Sequence, residues 1–130
     1  MVIMIDDDDD ALEIYQLLLD RTSCAQHFYT FNSGHKAFEF LEQCTKEQQT
    51  FPKYILLDLN MPDIGGIEFI EEFEAKYIQQ HQDTKIIMLT SSVRESDNET
   101  ALSYDSVAAF KSKPLAKDDL MAMIQESIQG

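Results

Sequence analysis

The fold is decided by one short segment of the chain, Tyr54-Ile55-Leu56-Leu57-Asp58-Leu59-Asn60-Met61-Pro62. A run of apolar and aromatic residues ends in a carboxylate, and turn-forming residues follow at once: Pro62, Asp63, Gly65 and Gly66. A short apolar run bounded in this way is typical of a strand that is buried on both faces of a sheet. Asp58 therefore lies where a central strand leaves the sheet. From this position alone, its carboxylate is either part of a site or the cap of a helix or turn.

An alternation of strand and helix extends from this segment in both directions. The predicted strands are Val2–Ile5, His27–Phe31, Tyr54–Leu57, Lys85–Leu89 and Val107–Phe110. The predicted helices are Asp9–Arg21, a helix that Asn32 or Ser33 caps, a helix after the Gly65-Gly66 pair, Ser96–Tyr104, and a last helix that begins near Lys117 or Asp118. Five such alternations predict an α/β fold in which helices cover both faces of a parallel sheet.

The length and the charge of the chain restrict its function. Its 130 residues, of which 44% are hydrophobic, predict a single domain over residues 1–130 with a core of its own. The formal net charge is -14. Because nucleic acids and anionic membranes attract basic surfaces, we expect this chain to bind neither of them directly.

The sequence also indicates a compartment. The longest apolar runs fall well short of the roughly 20 residues that cross a bilayer, and no secretory signal is visible. Cys24 and Cys44 have neither redox nor zinc-binding spacing, and the three histidines have no metal-ligand spacing. These features predict reduced thiols and a cytoplasmic location.

Polar residues follow several of the predicted strands. Asp6 and Asp7 come after the first strand, Asp58 after the third, Thr90 after the fourth and Lys113 near the end of the fifth. Open parallel sheets bind ligands beyond the carboxyl ends of their strands, where these residues are expected to meet. The sequence therefore predicts one site assembled from distant segments.

This set of residues favours phosphoryl transfer. Three neighbouring carboxylates repel one another unless a cation lies between them, and oxygen ligands with open positions suit Mg²⁺. A carboxylate such as Asp58 can attack phosphorus and form an aspartyl phosphate. Lys113 supplies positive charge and Thr90 a hydroxyl for the phosphoryl oxygens. In isolation, Thr90 is more simply a helix cap and Lys113 a surface lysine, and Asp8 to Asp10 are a solvated helix start.

The order of these motifs resembles that of the response regulator receiver domains of two-component signalling, a CheY-like family. The motifs are Asp6-Asp7, Asp58-Leu59-Asn60-Met61-Pro62, Leu89-Thr90-Ser91-Ser92 and Lys113-Pro114-Leu115. The resemblance spans nearly the whole chain. It implies a flavodoxin-like (βα)5 doubly wound sandwich, whose five-stranded parallel sheet has the strand order 2-1-3-4-5.

The resemblance also implies a role for each residue. Asp58 is the implied phosphoacceptor, and Asp6 and Asp7 are the implied Mg²⁺ ligands, directly or through water. Asn60 gives its backbone carbonyl to the metal. Further implied roles are the switch hydroxyl of Thr90, the pairing of Lys113 with the phosphoryl group, a cis bond before Pro114, and the aromatic switch of Phe110.

As a function, the resemblance implies a phosphorelay domain. Asp58 receives a phosphoryl group from a sensor histidine kinase, a phosphotransfer protein or a small phosphodonor. The domain then catalyses only its own phosphorylation and dephosphorylation, so it is not an enzyme in the usual sense. Phosphorylation changes partner binding at the face formed by the Ser96–Tyr104 helix, the fifth strand and the last helix. The output partner is not named by the sequence, and a phosphorylation-dependent homodimer stays open.

Two other functions use similar parts. A magnesium-dependent phosphatase of haloacid dehalogenase type also has an Asp nucleophile, but it usually has a second Asp two residues later, where this chain has Asn60. A flavodoxin-like nucleotide binder needs hydrogen-bond donors after its first strand, where Asp6 to Asp10 would repel a phosphate. The receiver domain therefore fits the residues better than either alternative.

Overall fold

A five-stranded parallel sheet forms the centre of the protein in a computed structural model, which describes residues 1–59, 61, 63–90 and 101–129. The strand order is β2-β1-β3-β4-β5, which confirms the predicted 2-1-3-4-5 arrangement. The strands are β1 (Val2–Ile5), β2 (Phe28–Phe31), β3 (Tyr54–Asp58), β4 (Lys85–Thr90) and β5 (Val107–Ser112). The helices α1 (Asp9–Leu19), α2 (Gly34–Lys46) and α3 (Gly66–Tyr77) and the C-terminal helix (Lys117–Gln129) cover the sheet.

The central strand β3 contributes side chains to both layers of the core. Ile55 and Leu57 pack in the cluster that contains Phe38 of α2 and Phe69 of α3. Leu56 points to the opposite side, in the cluster formed with α1 and the C-terminal helix. Because successive side chains of a strand alternate between its faces, an uninterrupted apolar run is buried on both. The prediction of a doubly covered strand is therefore confirmed.

Several element boundaries differ from those predicted. Strands β4 and β5 were predicted to end at Leu89 and Phe110. They extend to Thr90 and Ser112 because these two residues pair across the sheet. Helix α1 ends at Leu19 rather than at Arg21, where the backbone has a positive φ of 66°. A 3-10 turn at Ala25–His27 precedes β2, so His27 is not part of the strand.

The predicted Ser96–Tyr104 helix lies mostly outside the described residues. Residues 91–100 are not described, whereas Ala101 and Leu102 are helical. At the start of α1, the carboxylate of Asp8 accepts hydrogen bonds from the backbone N–H groups of Asp10 and Ala11. It thus caps the helix, at the helix start where the sequence placed Asp8 to Asp10. In the described part of the chain, every helix is too short or too polar to cross a bilayer.

At the amino-terminal edge of the sheet, the rings of Phe51 and His81 stack with centroids 3.6 Å apart and an interplanar angle of 4°. Burial of the imidazole ring lowers the pKa of His81 from its ordinary value of 6.5. A neutral imidazole is thus preferred in the folded protein. The resulting contribution to stability is present above pH 6.5 and is lost as the pH falls through 6.5 toward the lower pKa of the folded state.

We therefore expect an NMR titration of the His81 imidazole to show a midpoint below 6.5. Replacing His81 with Phe keeps an aromatic ring but removes the titrating group. The unfolding free energy of the wild type should fall between neutral and mildly acidic pH. In the His81→Phe variant this fall should be smaller. A midpoint at or above the ordinary value would contradict this account of the stack.

Candidate functional site

The register of the sheet brings the polar strand ends together. Ile5 pairs with Leu57, so Asp6 and Asp58 leave neighbouring strands at the same level. Asp58 pairs with Leu89, which places Thr90 one residue beyond it on the next strand. The backbone N–H of Lys113 donates to the carbonyl of Thr90 over 2.9 Å. All these residues therefore lie at the carboxyl edge of the sheet, where open parallel sheets bind their ligands.

Three carboxylates form the centre of this edge. One oxygen each from Asp6, Asp7 and Asp58 lies within 4.8 Å of the others. Asp6 and Asp58 are only 2% and 8% exposed, whereas Asp7 faces solvent. Burial without compensation would strongly disfavour charged carboxylates, so the arrangement requires positive charge nearby.

The position of Asp6 is fixed by the backbone around it. Its N–H donates to the carbonyl of Phe31 over 3.1 Å, which continues the pairing of β1 with β2. Its Oδ1 accepts from the N–H of Asp8 over 3.0 Å. The second oxygen, Oδ2, then faces Lys113. The turn into α1 thus orients the carboxylate toward the other strand ends.

Lys113 supplies the positive charge. Its Nζ lies 2.7 Å from Oδ2 of Asp6 and 3.5 Å from Oδ2 of Asp58. Burial alone would lower the pKa of Lys113, but the hydrogen bond to Asp6 and the charge of Asp58 outweigh it, so the pKa lies above its ordinary value. The ammonium group is therefore held in its charged form. The peptide bond to Pro114 is cis, as the resemblance implied.

The donor set of this edge fits a divalent cation. The formal charges of the three carboxylates and the one ammonium group sum to two negative charges. All ligand atoms available from the carboxylates are oxygens, which Mg²⁺ prefers. Asn60, the further metal ligand implied by the resemblance, lies outside the described residues. The fold thus brings Asp6, Asp7 and Asp58 together as the predicted acidic cluster.

Comparison with known proteins agrees with this arrangement. The sequence model of the response regulator receiver domain family matches residues 2–125. The chain belongs to this family. It is the receiver domain of a two-component response regulator, as the order of the four motifs predicted.

Similar proteins include regulators from several organisms. The receiver domain is 28% identical over 130 residues to the response regulator Rcp1 of Synechocystis, covering 96% of this chain and 84% of that protein. It is 21% identical over 126 residues to a probable methanogenesis regulatory protein, FilR2, of Methanothrix harundinacea, covering 97% of this chain and 79% of the relative. A crystal structure of a two-component response regulator from Cytophaga hutchinsonii matches with a TM-score of 0.80 and 26% identity, covering 99% and 96% of the two chains.

Two further predicted site residues of the receiver domain lie on β4 and β5. Thr90 is 2% exposed and ends β4. Phe110 lies on β5 opposite Met88 and is half-buried. Phe110 and Tyr104 pack against the same core cluster, to which Ala101 belongs. The switch roles of Thr90 and Phe110 stay predictions.

Sequence reasoning missed some residues that shape the receiver domain's site. The hydroxyl of Tyr15 accepts a hydrogen bond from the N–H of Leu115 over 2.8 Å and so ties α1 to the segment after Lys113. Helical spacing within the predicted Asp9–Arg21 helix assigns Tyr15 only to its buried face. Its hydroxyl was the available signal, because a buried Tyr hydroxyl usually has a partner.

The segment after Asp58 is held by two further residues that were read only as turn formers. The N–H of Gly66 donates to the carbonyl of Leu59 over 3.0 Å, and a Cβ at Gly66 would lie 2.9 Å from that oxygen. The carboxylate of Asp63 accepts from the N–H of His35 over 3.2 Å. Burial would raise the pKa of Asp63, but backbone hydrogen bonds from Ile64 and His35 lower it overall. The segment is thus anchored to α2.

Proposed function

We propose that this receiver domain is a phosphorylation switch in which Asp58 accepts the phosphoryl group. The observation that carries the proposal is the position of the Asp58 carboxylate, which lies within 4.8 Å of the Asp6 and Asp7 oxygens and 3.5 Å from Lys113 Nζ. The proposed nucleophile, the proposed metal ligands and a cation therefore lie together at one edge of the sheet. These are the parts that phosphoryl transfer requires.

The proposed phosphodonor is a phosphohistidine of a sensor kinase or phosphotransfer protein. An Asp58 oxygen forms a bond to phosphorus while the bond between phosphorus and the imidazole nitrogen breaks. The electron pair of that bond returns to the imidazole, which takes up a proton from water. Hydrolysis of the resulting acyl phosphate later restores the Asp58 carboxylate. The domain changes only its own state in this cycle.

The residues of the site divide the remaining work. Asp6, Asp7, Asp58 and the backbone carbonyl of Asn60 are the proposed holders of Mg²⁺. The ion, when bound, neutralises charge on the phosphoryl oxygens. Lys113 already contacts both Asp6 and Asp58, and its raised pKa keeps it cationic, so it can pair with a phosphoryl oxygen. Thr90 is the proposed donor of a hydroxyl hydrogen bond to another phosphoryl oxygen.

The proposed output of phosphorylation is a change in partner binding. An aspartyl phosphate adds negative charge and strong acceptors beside Thr90 and Lys113. The altered strand ends then favour one packing of Phe110 and the Ser96–Tyr104 segment over another. The proposed partner face comprises this segment, β5 and the C-terminal helix, and a phosphorylation-dependent homodimer would use the same kind of change. Partner binding that is identical in both phosphorylation states would contradict this output.

The test is incubation of the purified protein with acetyl phosphate, followed by intact-mass measurement. We expect one added phosphoryl group with Mg²⁺ present and none after the metal is removed with EDTA, because the acidic cluster alone repels an anionic donor. Return of Mg²⁺ should restore the uptake. Phosphorylation that is unaffected by EDTA would contradict the proposed metal site. Steady hydrolysis of many phosphate esters would instead favour the phosphatase.

A further inference from the structure

The two edge strands of the sheet differ in their protection against pairing with another chain. Strand β5 carries Lys111, and charged residues on an edge disfavour the addition of a further strand. Strand β2, at the opposite edge, has the sequence Phe-Tyr-Thr-Phe and carries no charge. Its Tyr29 side chain is 44% exposed. The β2 edge therefore has no charged side chain and has an exposed aromatic one.

The hydrogen-bonding direction of β2 follows from one bond. The carbonyl of Phe31 accepts from Asp6 N–H, so the backbone groups of Phe31 face β1. In a parallel pair, successive residues direct their N–H and C=O groups to alternate sides. Whereas the N–H of Phe28 donates to the carbonyl of Ala25 in the preceding 3-10 turn, the C=O of Phe28 and the N–H and C=O of Thr30 point away from the sheet. They can accept and donate hydrogen bonds to an added strand.

Three surface depressions adjoin β2. The first, about 320 Å³, adjoins Tyr29, His27 and Ser127 on the side of the C-terminal helix. The second, about 440 Å³, lies between Tyr29 and Phe40 on the α2 side. The third, about 470 Å³, adjoins Thr30 and Glu13 on the α1 side. The first two share Met1, Tyr29 and Thr50, so an added strand would meet the depression beside Tyr29 and Phe40 on one face and the one beside Thr30 and Glu13 on the other.

The chemistry of the depressions selects the occupant. Phe40 lies between Tyr29 and Phe31, with ring centroids 5.4 Å and 5.0 Å away, so the second depression offers aromatic contacts. The third contains Asp9 and Glu13 against Lys36 alone and is therefore acidic. The net charge of -14 adds a long-range attraction for basic chains and repels a second copy of this protein.

We propose that the β2 edge binds an extended, basic segment of another protein by strand addition, with an aromatic or apolar side chain beside Tyr29 and Phe40 and a Lys or Arg beside Asp9 and Glu13. Backbone hydrogen bonds to Phe28 and Thr30 supply affinity, and the depressions supply specificity. This interaction is separate from the phosphorylation of Asp58, which lies at the carboxyl edge of the sheet.

The probe for this site is the capped peptide Ac-Thr-Val-Thr-Lys-Phe-Lys-Thr-Val-Thr-NH2. Lys on both sides of Phe satisfies the charge pattern whichever way the peptide runs. We expect a titration followed by ¹H–¹⁵N NMR to shift the amide signals of Thr30, whose N–H is the outward donor, and of Tyr29, whose peptide unit contains the Phe28 carbonyl, with a dissociation constant below about 1 mM in low salt. The same peptide with Glu in place of both Lys residues should bind at least about tenfold more weakly.

Removing the outward N–H of Thr30 tests the backbone hydrogen bonds without changing the charge. Thr30→Pro removes an outward N–H that β1 does not use, and Pro is tolerated at such an edge position. It should weaken binding at least about tenfold. Thr30→Ala is the matched control, because it removes the hydroxyl that Gln16 contacts but keeps the N–H, and it should bind as the wild type does. Methylating alternate backbone nitrogens of the peptide removes the complementary donors, those that would bond to the carbonyls of Phe28 and Thr30, without altering the protein.

Three results would overturn the proposal. The first is the absence of amide shifts at β2 at millimolar concentrations of the basic peptide. The second is equal binding of the basic, acidic and N-methylated peptides. The third is a concentration-dependent dimer in sedimentation experiments that Thr30→Pro abolishes, since that result would assign the β2 edge to a second copy of this chain. Glu13→Gln should weaken the basic peptide about threefold, and unchanged affinity would remove the acidic depression from the account.

Discussion

Replacing Asp58 with Asn is expected to abolish phosphoryl uptake from acetyl phosphate. Asn has nearly the shape of Asp, but its amide is a poor nucleophile and carries no charge to hold a metal ion. The wild type should gain one phosphoryl group in an intact-mass measurement with Mg²⁺, and Asp58→Asn should gain none. The expected loss of rate is at least about 100-fold, the scale for removal of a nucleophile that other residues cannot replace.

The neighbouring carboxylates make this variant a demanding test. Asp7 lies within 4.8 Å of the Asp58 oxygen in the same cluster and is more exposed. If either Asp6 or Asp7 were the acceptor, Asp58→Asn would still be labelled, and the assignment of Asp58 would be wrong. A matched control is Asp63→Asn, which changes an Asp of the same segment whose carboxylate instead contacts His35 N–H. This control should still take up one phosphoryl group.

Replacing Lys113 with Met is expected to lower the free energy of unfolding by about 2 kcal/mol in the absence of divalent cations. The side chain of Asp6 is 3% exposed and that of Lys113 is 22% exposed, so the change leaves a buried carboxylate without its ammonium partner. The value is discounted from that of a fully buried pair because water reaches Lys113. Urea denaturation of the two proteins at neutral pH measures the difference.

The pKa of Lys113 defines the pH range of this effect. Because the pKa in the folded protein lies above the ordinary 10.5, the contribution of the charged amine is fully present below 10.5 and is lost only as the pH rises through the folded value. The difference between wild type and Lys113→Met should therefore persist into moderately alkaline solutions. A difference that disappears well below 10.5 would contradict the raised pKa.

Lys111 provides the matched control for this prediction. It lies two residues earlier on the same strand, is exposed, and makes no salt bridge within the described parts of the chain. Lys111→Met should change the unfolding free energy by less than about 0.5 kcal/mol. Added Mg²⁺ should recover part of the stability lost in Lys113→Met, because the ion can replace the missing positive charge. Equal destabilisation by both variants would mean that the contacts of Lys113 have no special value.

Much of the fold follows from the order of residue types. The run Tyr54 to Leu57 is apolar without interruption and is bounded by turn formers, which is typical of a strand with two covered faces, and the alternating helices then favour a parallel sheet. The same logic placed Asp6, Asp58 and Lys113 at one edge, since the carboxyl ends of parallel strands point the same way. The ends of elements were less predictable. Ser112 belongs to β5 because of its partner Thr90, not because of its own propensity.

The details of the site depend on contacts between distant segments. The Lys113-Pro114-Leu115 motif favours Lys113 over Lys111 for the site, but only the structure shows that Lys113 contacts the carboxylates. The hydrogen bond from Leu115 to Tyr15 joins residues separated by 100 positions, and helical spacing treats Tyr15 simply as a core residue. Such bonds form only when packing has already fixed both backbones.

The sequence by itself determined the layered architecture, the order of its elements and the family, because hydrophobic periodicity and the residues after each strand are local properties. Only the tertiary structure decided which oxygen of Asp6 meets Lys113, which residues hold the segment after Asp58, and which backbone groups of β2 face solvent. These depend on register and on side-chain packing between segments far apart in the chain. One-dimensional periodicity carries no information about either.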